Sequence, residues 1–379
     1  MSAARPDIVA RAAAAAALAA EHAVADDRHA AFPRASVAAL HEGGLLGAWA
    51  PARCGGEDAP VQAASDVAAL LSRACASTGV LFALHQAQVI TLGRHGSGAA
   101  IAALLDDVVS SGRLVTAAHP GAAAPPAVAV DDGLIRIELA GAVVPDGNEA
   151  HAALIRTRWR AAEAPAQGVA GAADPSHPDV VVVCARPALS FTPVEVPPSL
   201  GLRAMGTGRY DVVAEAHGGA VLDEDTPGAA ARTQSTVTAV LVAAALSGIG
   251  TAAVEHARAL NAGESAKKRS AASLGPRRSG ELDAVHREMQ CLVAAATRWL
   301  DDTTATLPGP GAFPSELAAT AAATLVAVRG LTTEIVRRAS SLCGIAGYRQ
   351  DAPTGIGRLL RDAWGGCLLG VGDDMGAAA

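Results

Sequence analysis

Four residues of this 379-residue chain have side chains that could take part in chemistry, namely His85, His119, Arg361 and Asp362. An imidazole titrates near neutral pH, so either histidine could transfer a proton. His85 lies in an apolar helical segment, which favours a packing role. Arg361 and Asp362 favour a structural ion pair at an interface over a catalytic pair. No spacing of histidine, cysteine and acidic residues is typical of a metal site.

The composition predicts a mainly helical protein. Hydrophobic residues make up 51% of the chain, mostly as alanine, and aromatic residues only 3%. Alanine is the best helix former and permits close contacts between helices. The net charge of −7 gives no basic surface for nucleic acid. We recognise no signal peptide and no membrane span, so we expect a cytoplasmic protein with its six cysteines as buried thiols.

The sequence changes in character twice, which divides the chain into three parts. Residues 1–113 predict an N-terminal helical domain. Residues 114–222 hold most of the prolines and short β-branched runs and predict a central β domain, with a hairpin turn at 131–133. Residues 223–379 predict a C-terminal helical bundle, which makes the fold class α+β and mainly α.

Predicted helices and strands follow from alanine-rich periodicity and from β-branched runs. The stretches 160–178 and 263–279 are expected to be loops. Helices are predicted at 6–30, 35–46, 60–76, 78–93, 97–108, 231–262, 280–304, 314–341 and 353–369, and strands at 128–130, 134–139 and 180–183.

Short motifs occur in a fixed order along most of the chain. They are Phe32-Pro33, Gly43-Gly44, Ala76-Ser77-Thr78-Gly79, Gly201-Leu202-Arg203, Cys343-Gly344 to Gly347-Tyr348, and Arg361-Asp362-Ala363. In this order they resemble the acyl-CoA dehydrogenase family. The resemblance implies an N-terminal helical domain, a central β domain and a C-terminal four-helix bundle. It also implies dimers or tetramers that hold FAD between domains and subunits.

The same resemblance implies a catalytic base that this chain lacks. Nine residues after the arginine of the Arg-Asp-Ala motif, the family has a glutamate that removes the proton α to a thioester, and here the residue is Gly370. The alternative position, in the first helix of the bundle, has no acid at 234–242. Asp373 and Asp374 favour a solvated chain end over a displaced base. His119 replaces a glutamate of the loop that faces the flavin ring, so it is the remaining candidate for proton chemistry.

Two segments that would hold the flavin ring have lost polar or aromatic side chains. Ala118 and Ala124 occupy positions at which the family has hydroxyl donors. In the second segment Pro145 replaces a tryptophan and Gly147 a threonine, whereas Asn148 is kept. The resemblance therefore implies weaker contacts to the ring.

Contacts to the rest of FAD are reduced as well. Ala271 and Leu282 stand where the family has an arginine and a glutamine, while Ser341 and Ile345 replace a glutamine and a glycine. The resemblance leaves four cofactor-binding positions, Asn148, Gly344, Gly347 and Tyr348. It implies FAD that is bound weakly, shared with a partner subunit, or absent. Tyr348 and Trp364 are candidates to line the cleft.

Three functions remain open at this point. The first is a base-deficient subunit of an FAD-dependent acyl-CoA dehydrogenase assembly, as a homo-oligomer or with a related chain that keeps its glutamate. The second is a flavin desaturase or oxygenase of a specialised pathway, acting on an acyl or carrier-bound substrate. The third is a flavin-free binding or scaffold protein. We expect no dehydrogenase turnover by the isolated chain, and no nucleic acid or membrane partner.

Overall fold

The structure is a computed structural model that describes residues 7–119, 126–130, 134–160, 179–196, 198–223, 226–265, 275–307, 309–349 and 356–367. It begins with five helices, which are α1 (Ile8–His29), α2 (Arg34–Glu42), α3 (Val61–Ala74), α4 (Ala76–His95) and α5 (Ala99–Ser111). Helix α4 is buried along nearly its whole length, because it lies between the other N-terminal helices and the C-terminal ones.

The middle of the chain forms one mixed sheet. Its strands are β1 (Val115–Ala118), β2 (Pro126–Val130), β3 (Leu134–Val144), β4 (Ala152–Arg160), β5 (Asp179–Ala185), β6 (Leu189–Glu195) and β7 (Gly208–His217). The strand order is β1-β4-β2-β3-β7-β6, with β5 paired to β4, and β1 and β2 run parallel to β4. A bridge between His119 and Val143 also joins the end of β1 to β3. The sheet therefore curls around its own core, in which Tyr210 is fully buried.

Four helices complete the chain, and they are α6 (Ala229–Ser265), α7 (Gly275–Thr306), α8 (Ser315–Tyr348) and α9 (Gly357–Cys367). Helix α6 packs on α3 and α4 on one side and on α7 and α8 on the other. Glycines allow this approach, because a side chain at Gly248 would lie 2.2 Å from the Ala69 carbonyl oxygen. A Cβ at Gly79 would lie 2.1 Å from Ser72 Oγ. Helix α8 is kinked at Gly344, where φ is 55° and ψ −146°.

The predicted fold class is confirmed, with a helical N-terminal part, a sheet, and C-terminal helices. The described residues from 226 to 367 contain helices and no strand. Four strands were not predicted, namely β1, β4, β6 and β7. Two cysteines depart from the expected burial, since Cys291 and Cys367 are exposed. The hairpin turn 131–133 lies outside the described residues, as do most of the two expected loops. The domain boundaries stay predictions.

Three helices are long and apolar enough, by length and composition alone, to cross a membrane. They differ in burial, because the most apolar window is 83% buried in α6 but only 28% in α1 and 39% in α8. The exposed side of α8 carries small apolar residues, Ala319, Ala322, Ala323, Val326 and Ala327. Helix α6 is thus a core helix, whereas α1 and α8 each leave an apolar face uncovered.

Gly201 is a position at which any side chain should destabilise the fold. A Cβ there would lie 1.8 Å from the Arg361 carbonyl oxygen and 2.8 Å from the Asp362 nitrogen. We expect Gly201→Ala to lower the free energy of unfolding by about 1–3 kcal/mol or more, because backbone must move. Denaturant unfolding measures this, with exposed Gly218→Ala as the control, since no atom lies within 4 Å of its Cβ position. Equal stabilities of the two variants would contradict the packing described.

Candidate functional site

The turn between β3 and β4, residues 145–150, forms the centre of the candidate site. Asp146 has a left-handed backbone with φ of 54°, and its carbonyl oxygen accepts the N–H groups of Glu149 and Ala150 at 2.9 Å each. Thr116 Oγ1, on β1, donates to the Pro145 carbonyl oxygen at 2.8 Å. Proline, aspartate, glycine and asparagine are typical turn residues, so the local sequence explains this conformation.

Three further contacts fix the position of the turn. Arg186 Nε donates to the Ala150 carbonyl oxygen at 3.0 Å, and Arg34 forms a two-pronged ion pair with Glu149. Gly147 lies against the Tyr210 ring, whose atoms would be 3.0 Å from a Cβ at that position. The family's threonine would therefore clash with the Tyr210 ring if it stood at position 147.

The turn keeps several polar groups unpaired. Among the described residues, the backbone N–H groups of Asp146, Gly147 and Asn148 donate to no acceptor, and the Asn148 side chain is exposed without a partner. Asp146 Oδ1 is buried and likewise has no hydrogen bond. Successive N–H groups in a turn that includes a left-handed residue form a concavity that attracts anions and other acceptors. The turn can therefore bind a ligand with exposed hydrogen-bond acceptors.

Asp146 is a buried acid with a raised pKa. Burial, and secondarily the nearby charge of Glu149, raise the pKa of Asp146 well above its usual range. Only 8% of Asp146 is exposed, and no described cation forms an ion pair with it. Burial, with Asp146 as the second cause, also raises the pKa of Tyr210.

His119 lies beside this turn. Its backbone N–H donates to Val143 at 3.1 Å, its carbonyl accepts from Val143 at 3.0 Å, and Val143 precedes the turn by two residues. Burial, and then the Arg156 charge, lower the pKa of His119 to about 4, so the imidazole is neutral at pH 7. A pKa of about 4 also makes this imidazole a weak base at pH 7.

His85 is occupied by structural hydrogen bonds, as the packing interpretation requires. Its Nδ1 accepts the Val115 N–H at 3.1 Å, so Nε2 carries the proton and donates to the Leu46 carbonyl oxygen at 3.1 Å. Burial lowers the pKa of His85 to about 4. Its role is to fix the start of β1 against α4.

The Gly-rich turn of α8 lies apart from the β3–β4 turn within one chain. Ile345 and Tyr348 are each 86% exposed, and no described atom lies within 4 Å of a Cβ at Gly344. Gly347 is buried against Cys343 and Ile356. Helix α8 packs mainly on α6, α7 and α9. Among the described residues, no hydrogen bond joins 344–348 to 145–150, so the two groups of candidate positions do not meet.

Other candidate positions give no further site. Gly370, Ala124, Ala271, Asp373 and Asp374 lie outside the described residues. The described start of α6 has no acid, and Gln234 instead donates to Gln88 at 2.6 Å. Within the described part of the chain, no group of three or more His, Cys, Asp or Glu residues could hold a metal ion.

A cavity of about 600 Å³ opens at the C-terminal end of α4, remote in sequence from the turn. Its histidine, His95, has both ring nitrogens bonded, to the Asp223 carbonyl oxygen and Thr233 Oγ1 at 2.9 Å each. Arg94 is held by the carbonyl oxygens of Leu307 and Gly311. His95 and Arg94 thus form hydrogen bonds within the fold. We therefore place the candidate site at the β3–β4 turn and not at this cavity.

Arg361 and Asp362 do not pair with each other, contrary to the prediction. Arg361 binds Asp27 of α1 through two contacts of 3.0 and 2.5 Å. Asp362 Oδ1 accepts the Leu202 N–H at 2.8 Å, and its Oδ2 lies 3.7 Å from Arg358. These contacts therefore hold α9 against α1 and against the segment after Gly201. Trp364, on the same helix, is 54% exposed.

Comparison with known proteins agrees with this architecture. Residues 8–112 match the family model described as acyl-CoA dehydrogenase, N-terminal domain. KijD3 in complex with FMN and a dTDP-amino-keto-sugar has a TM-score of 0.75 and 23% identity, and the match covers 95% of this chain and 88% of that one. No curated protein sequence matches the chain at a significant level.

Two further solved structures have the same fold. Dibenzothiophene monooxygenase (TdsC) from Paenibacillus sp. A11-2, with FMN and indole, has a TM-score of 0.77 at 17% identity over 95% of this chain and 92% of that one. Methanesulfinate monooxygenase MsuC from Pseudomonas fluorescens has a TM-score of 0.76 at 16% identity over 96% and 93%. The chain thus has an acyl-CoA dehydrogenase N-terminal domain at residues 8–112 and, over 95–96% of its length, the fold of these solved structures.

Asp362 makes stability depend on pH. Burial raises the pKa of Asp362 from 3.8 to about 6, although Arg358 and the Leu202 N–H oppose the shift. A raised pKa means that the stabilising contribution is full below about pH 4 and is lost as pH rises through about 6. We expect the free energy of unfolding of the wild type, relative to Asp362→Asn, to fall by about 3 kcal/mol across that range. Chemical denaturation at each pH measures the difference, with exposed Asp66→Asn as the control. A pH-independent difference would contradict it.

Proposed function

We propose that the chain is a flavin-dependent oxygenase with the acyl-CoA dehydrogenase fold. The observation that carries the proposal is the β3–β4 turn, which offers unpaired hydrogen-bond donors beside a neutral His119, while the ionised carboxylate of the turn, Glu149, is bound by Arg34. Dehydrogenation needs such a base to remove the proton α to a thioester. The structural relatives named as monooxygenases support the oxygenase over the desaturase.

The residues of the turn fit a flavin ring in a way that differs from the family pattern. A flavin ring has a row of nitrogen and oxygen acceptors along one edge, and the N–H groups of 146–148 offer donors to such an edge. The Asn148 side chain adds a further polar group. These groups take over from the hydroxyls that are missing at Ala118 and Gly147.

The described residues favour FMN over FAD. Leu282, at the position of a pyrophosphate contact, is 1% exposed and belongs to the hydrophobic core. Ser341, at another contact position, donates its hydroxyl to the Arg337 carbonyl oxygen of its own helix at 3.0 Å. The adenylate half of FAD would thus lose side-chain contacts, which FMN does not need. FMN in the KijD3 and TdsC complexes supports this proposal.

Each residue of the site then has a separate task. A bound reduced flavin would supply electrons for the activation of O₂. The turn orients the ring, because Thr116, Arg186 and Arg34 hold it in place. His119, which its pKa of about 4 keeps neutral at pH 7, places an uncharged imidazole beside the turn. Ala118, which is 2% exposed, helps to exclude water.

Binding and redox measurements on the full chain test this function. We expect FMN to bind at least about tenfold more tightly than FAD, a difference of about 1.4 kcal/mol. Under anaerobic conditions, saturated acyl-CoA should not reduce the bound flavin, because loss of a general base lowers the rate about 10²–10⁴-fold. Reduced FMN bound to the protein should react with O₂ at a rate different from free reduced FMN. Loss of the visible flavin absorption on addition of acyl-CoA would support an acyl-CoA dehydrogenase instead. Absence of any flavin binding would support the flavin-free scaffold protein.

We also propose that the chain assembles with a second copy through α8. The alanine-rich face of α8 is exposed, and Ile345 and Tyr348 near the end of α8 are exposed as well. Helix α8 does not reach the β3–β4 turn within its own chain, so the kept positions Gly344 and Tyr348 could contact a flavin only on a partner subunit. A related chain that keeps its glutamate is the alternative partner, as expected for a base-deficient subunit. Cytoplasmic location stays a prediction.

Light scattering tests the assembly. We expect a mass of at least twice 37.7 kDa for the wild type, with an interface above about 1,000 Å². Val326→Glu introduces a charge on the α8 face, where Val326 is 63% exposed, and should give the monomer mass. Val24→Glu on α1, at a residue 60% exposed, is the matched control and should leave the mass unchanged. A wild-type mass near 37.7 kDa would refute the homo-oligomer.

A further inference from the structure

The cavity of about 600 Å³ at the C-terminal end of α4 combines an apolar wall with charges of both signs. It lies where the N-terminal helices, the segment after β7 and the end of α7 come together. Trp49 and Ile90 belong to its apolar wall, and Arg53, Asp58 and Asp223 contribute charged groups. Its volume lies in the range of about 300–1,000 Å³ that is typical of small-molecule sites.

Arg53 has a guanidinium group that the fold leaves largely unused. Its Nη2 lies 3.3 Å from the Gly93 carbonyl oxygen and 3.4 Å from that of Gly96, which is long for a hydrogen bond. Its other nitrogens have no acceptor among the described residues, and no described acid forms an ion pair with it. A guanidinium can bind a carboxylate through two parallel hydrogen bonds. Arg53 is therefore available to a ligand that carries a carboxylate.

The two aspartates of the cavity are also available, although their backbones are fixed. Asp58 accepts the Ala52 N–H with Oδ2 at 3.0 Å, and its Oδ1 has no partner in the described part of the chain. Asp223 donates its N–H to the His95 carbonyl oxygen at 2.8 Å and accepts from His95 Nδ1 at 2.9 Å. The Asp223 carboxylate has no described hydrogen bond or ion pair. Such carboxylates can bind an ammonium group.

Charges of opposite sign thus line one cavity without neutralising each other, since no ion pair joins Arg53 to Asp58 or Asp223 within the described residues. We propose that this cavity binds a small zwitterion with an apolar body, which is the chemistry of a hydrophobic α-amino acid. Arg53 binds the carboxylate, Asp223 binds the ammonium group, and the apolar wall contacts the side chain. The cavity is separate from the β3–β4 turn, so the inference does not depend on the flavin function.

A ligand with a single charge fits this lining less well. Arg94 also lines the cavity, with its guanidinium bonded to the Leu307 and Gly311 carbonyl oxygens and 4.6 Å from the centre of the Phe313 ring. Two cations therefore face two acids across the lining. An anion would be attracted by the guanidinium groups but repelled by both carboxylates, and a cation would meet the reverse. A zwitterion gains both attractions.

Three probes with the same apolar body separate the two charges. L-phenylalanine carries both charges, 3-phenylpropanoate only the carboxylate, and phenethylamine only the ammonium group. Isothermal titration calorimetry with the full chain at neutral pH measures the affinity of each. We expect L-phenylalanine to bind with a Kd below about 1 mM and at least about tenfold more tightly than either probe of single charge.

Two substitutions should each remove one half of this preference. Arg53→Gln should weaken L-phenylalanine at least about tenfold and make it bind no better than phenethylamine, because the carboxylate has lost its partner. Asp223→Asn should make L-phenylalanine bind no better than 3-phenylpropanoate. A purely structural role of either residue would weaken all three probes together. Arg287→Gln, at an exposed position of α7 outside the cavity, is the matched control and should keep the wild-type preference.

Each outcome supports or overturns the site. L-phenylalanine that does not bind at millimolar concentration, or that binds no better than the two other probes, overturns the proposal. Wild-type affinity of Arg53→Gln for L-phenylalanine overturns it as well. If a variant does not fold, as circular dichroism would show, the preference of the wild type among the three probes decides alone. Failure of this proposal leaves FMN binding, measured on the same protein, unaffected.

Discussion

The close crossing of α3, α4 and α6 is the constraint on which the rest of the structure depends. Gly79 and Gly248 let these helices meet at backbone distance around Ser72, where no side chain beyond hydrogen would fit. The sheet is then placed by α4, because His85 holds the start of β1 through the Val115 N–H. The bundle is placed by α6, and His95 links α4 to both Asp223 and Thr233. The crossing of these three helices therefore positions the sheet and the C-terminal helices against the N-terminal helices.

The sequence predicted the helices well because their signal is local. Alanine-rich periodicity and flanking glycines are contained within each segment. The strands were harder, since β1 is a four-residue run, Val-Thr-Ala-Ala, without alternation, and it pairs with β4 some 37 positions later. Helix α8 was expected to end at 341, and its first part ends at Gly344, whose non-helical φ and ψ separate it from a last helical turn that reaches Tyr348. Pairing and kinks depend on tertiary contacts that a local pattern does not contain.

The candidate site was likewise predictable from local sequence only in part. Alignment with the family identified which side chains are missing, and Gly147 was among them. It could not reveal that the Tyr210 ring, on a strand distant in sequence, fills the space a threonine would need. Asp146 was not among the predicted site residues. Only the left-handed turn and its burial show an acid without a partner. Likewise, Arg361 was expected to pair with its neighbour, but its partner Asp27 is 334 positions away.

That pairing has a consequence for the biosynthesis of the chain. A ribosome releases α1 long before α9 exists, so Asp27 must wait for nearly the whole chain to be translated before Arg361 reaches it. Arg203 is available earlier, and its Nε donates to the Asp27 carbonyl oxygen at 2.7 Å. In order of synthesis, the residue that binds the Asp27 carbonyl oxygen therefore comes well before the residue that binds its carboxylate. A chain that stops short of α9 would leave the Asp27 carboxylate without the guanidinium that binds it in the complete chain.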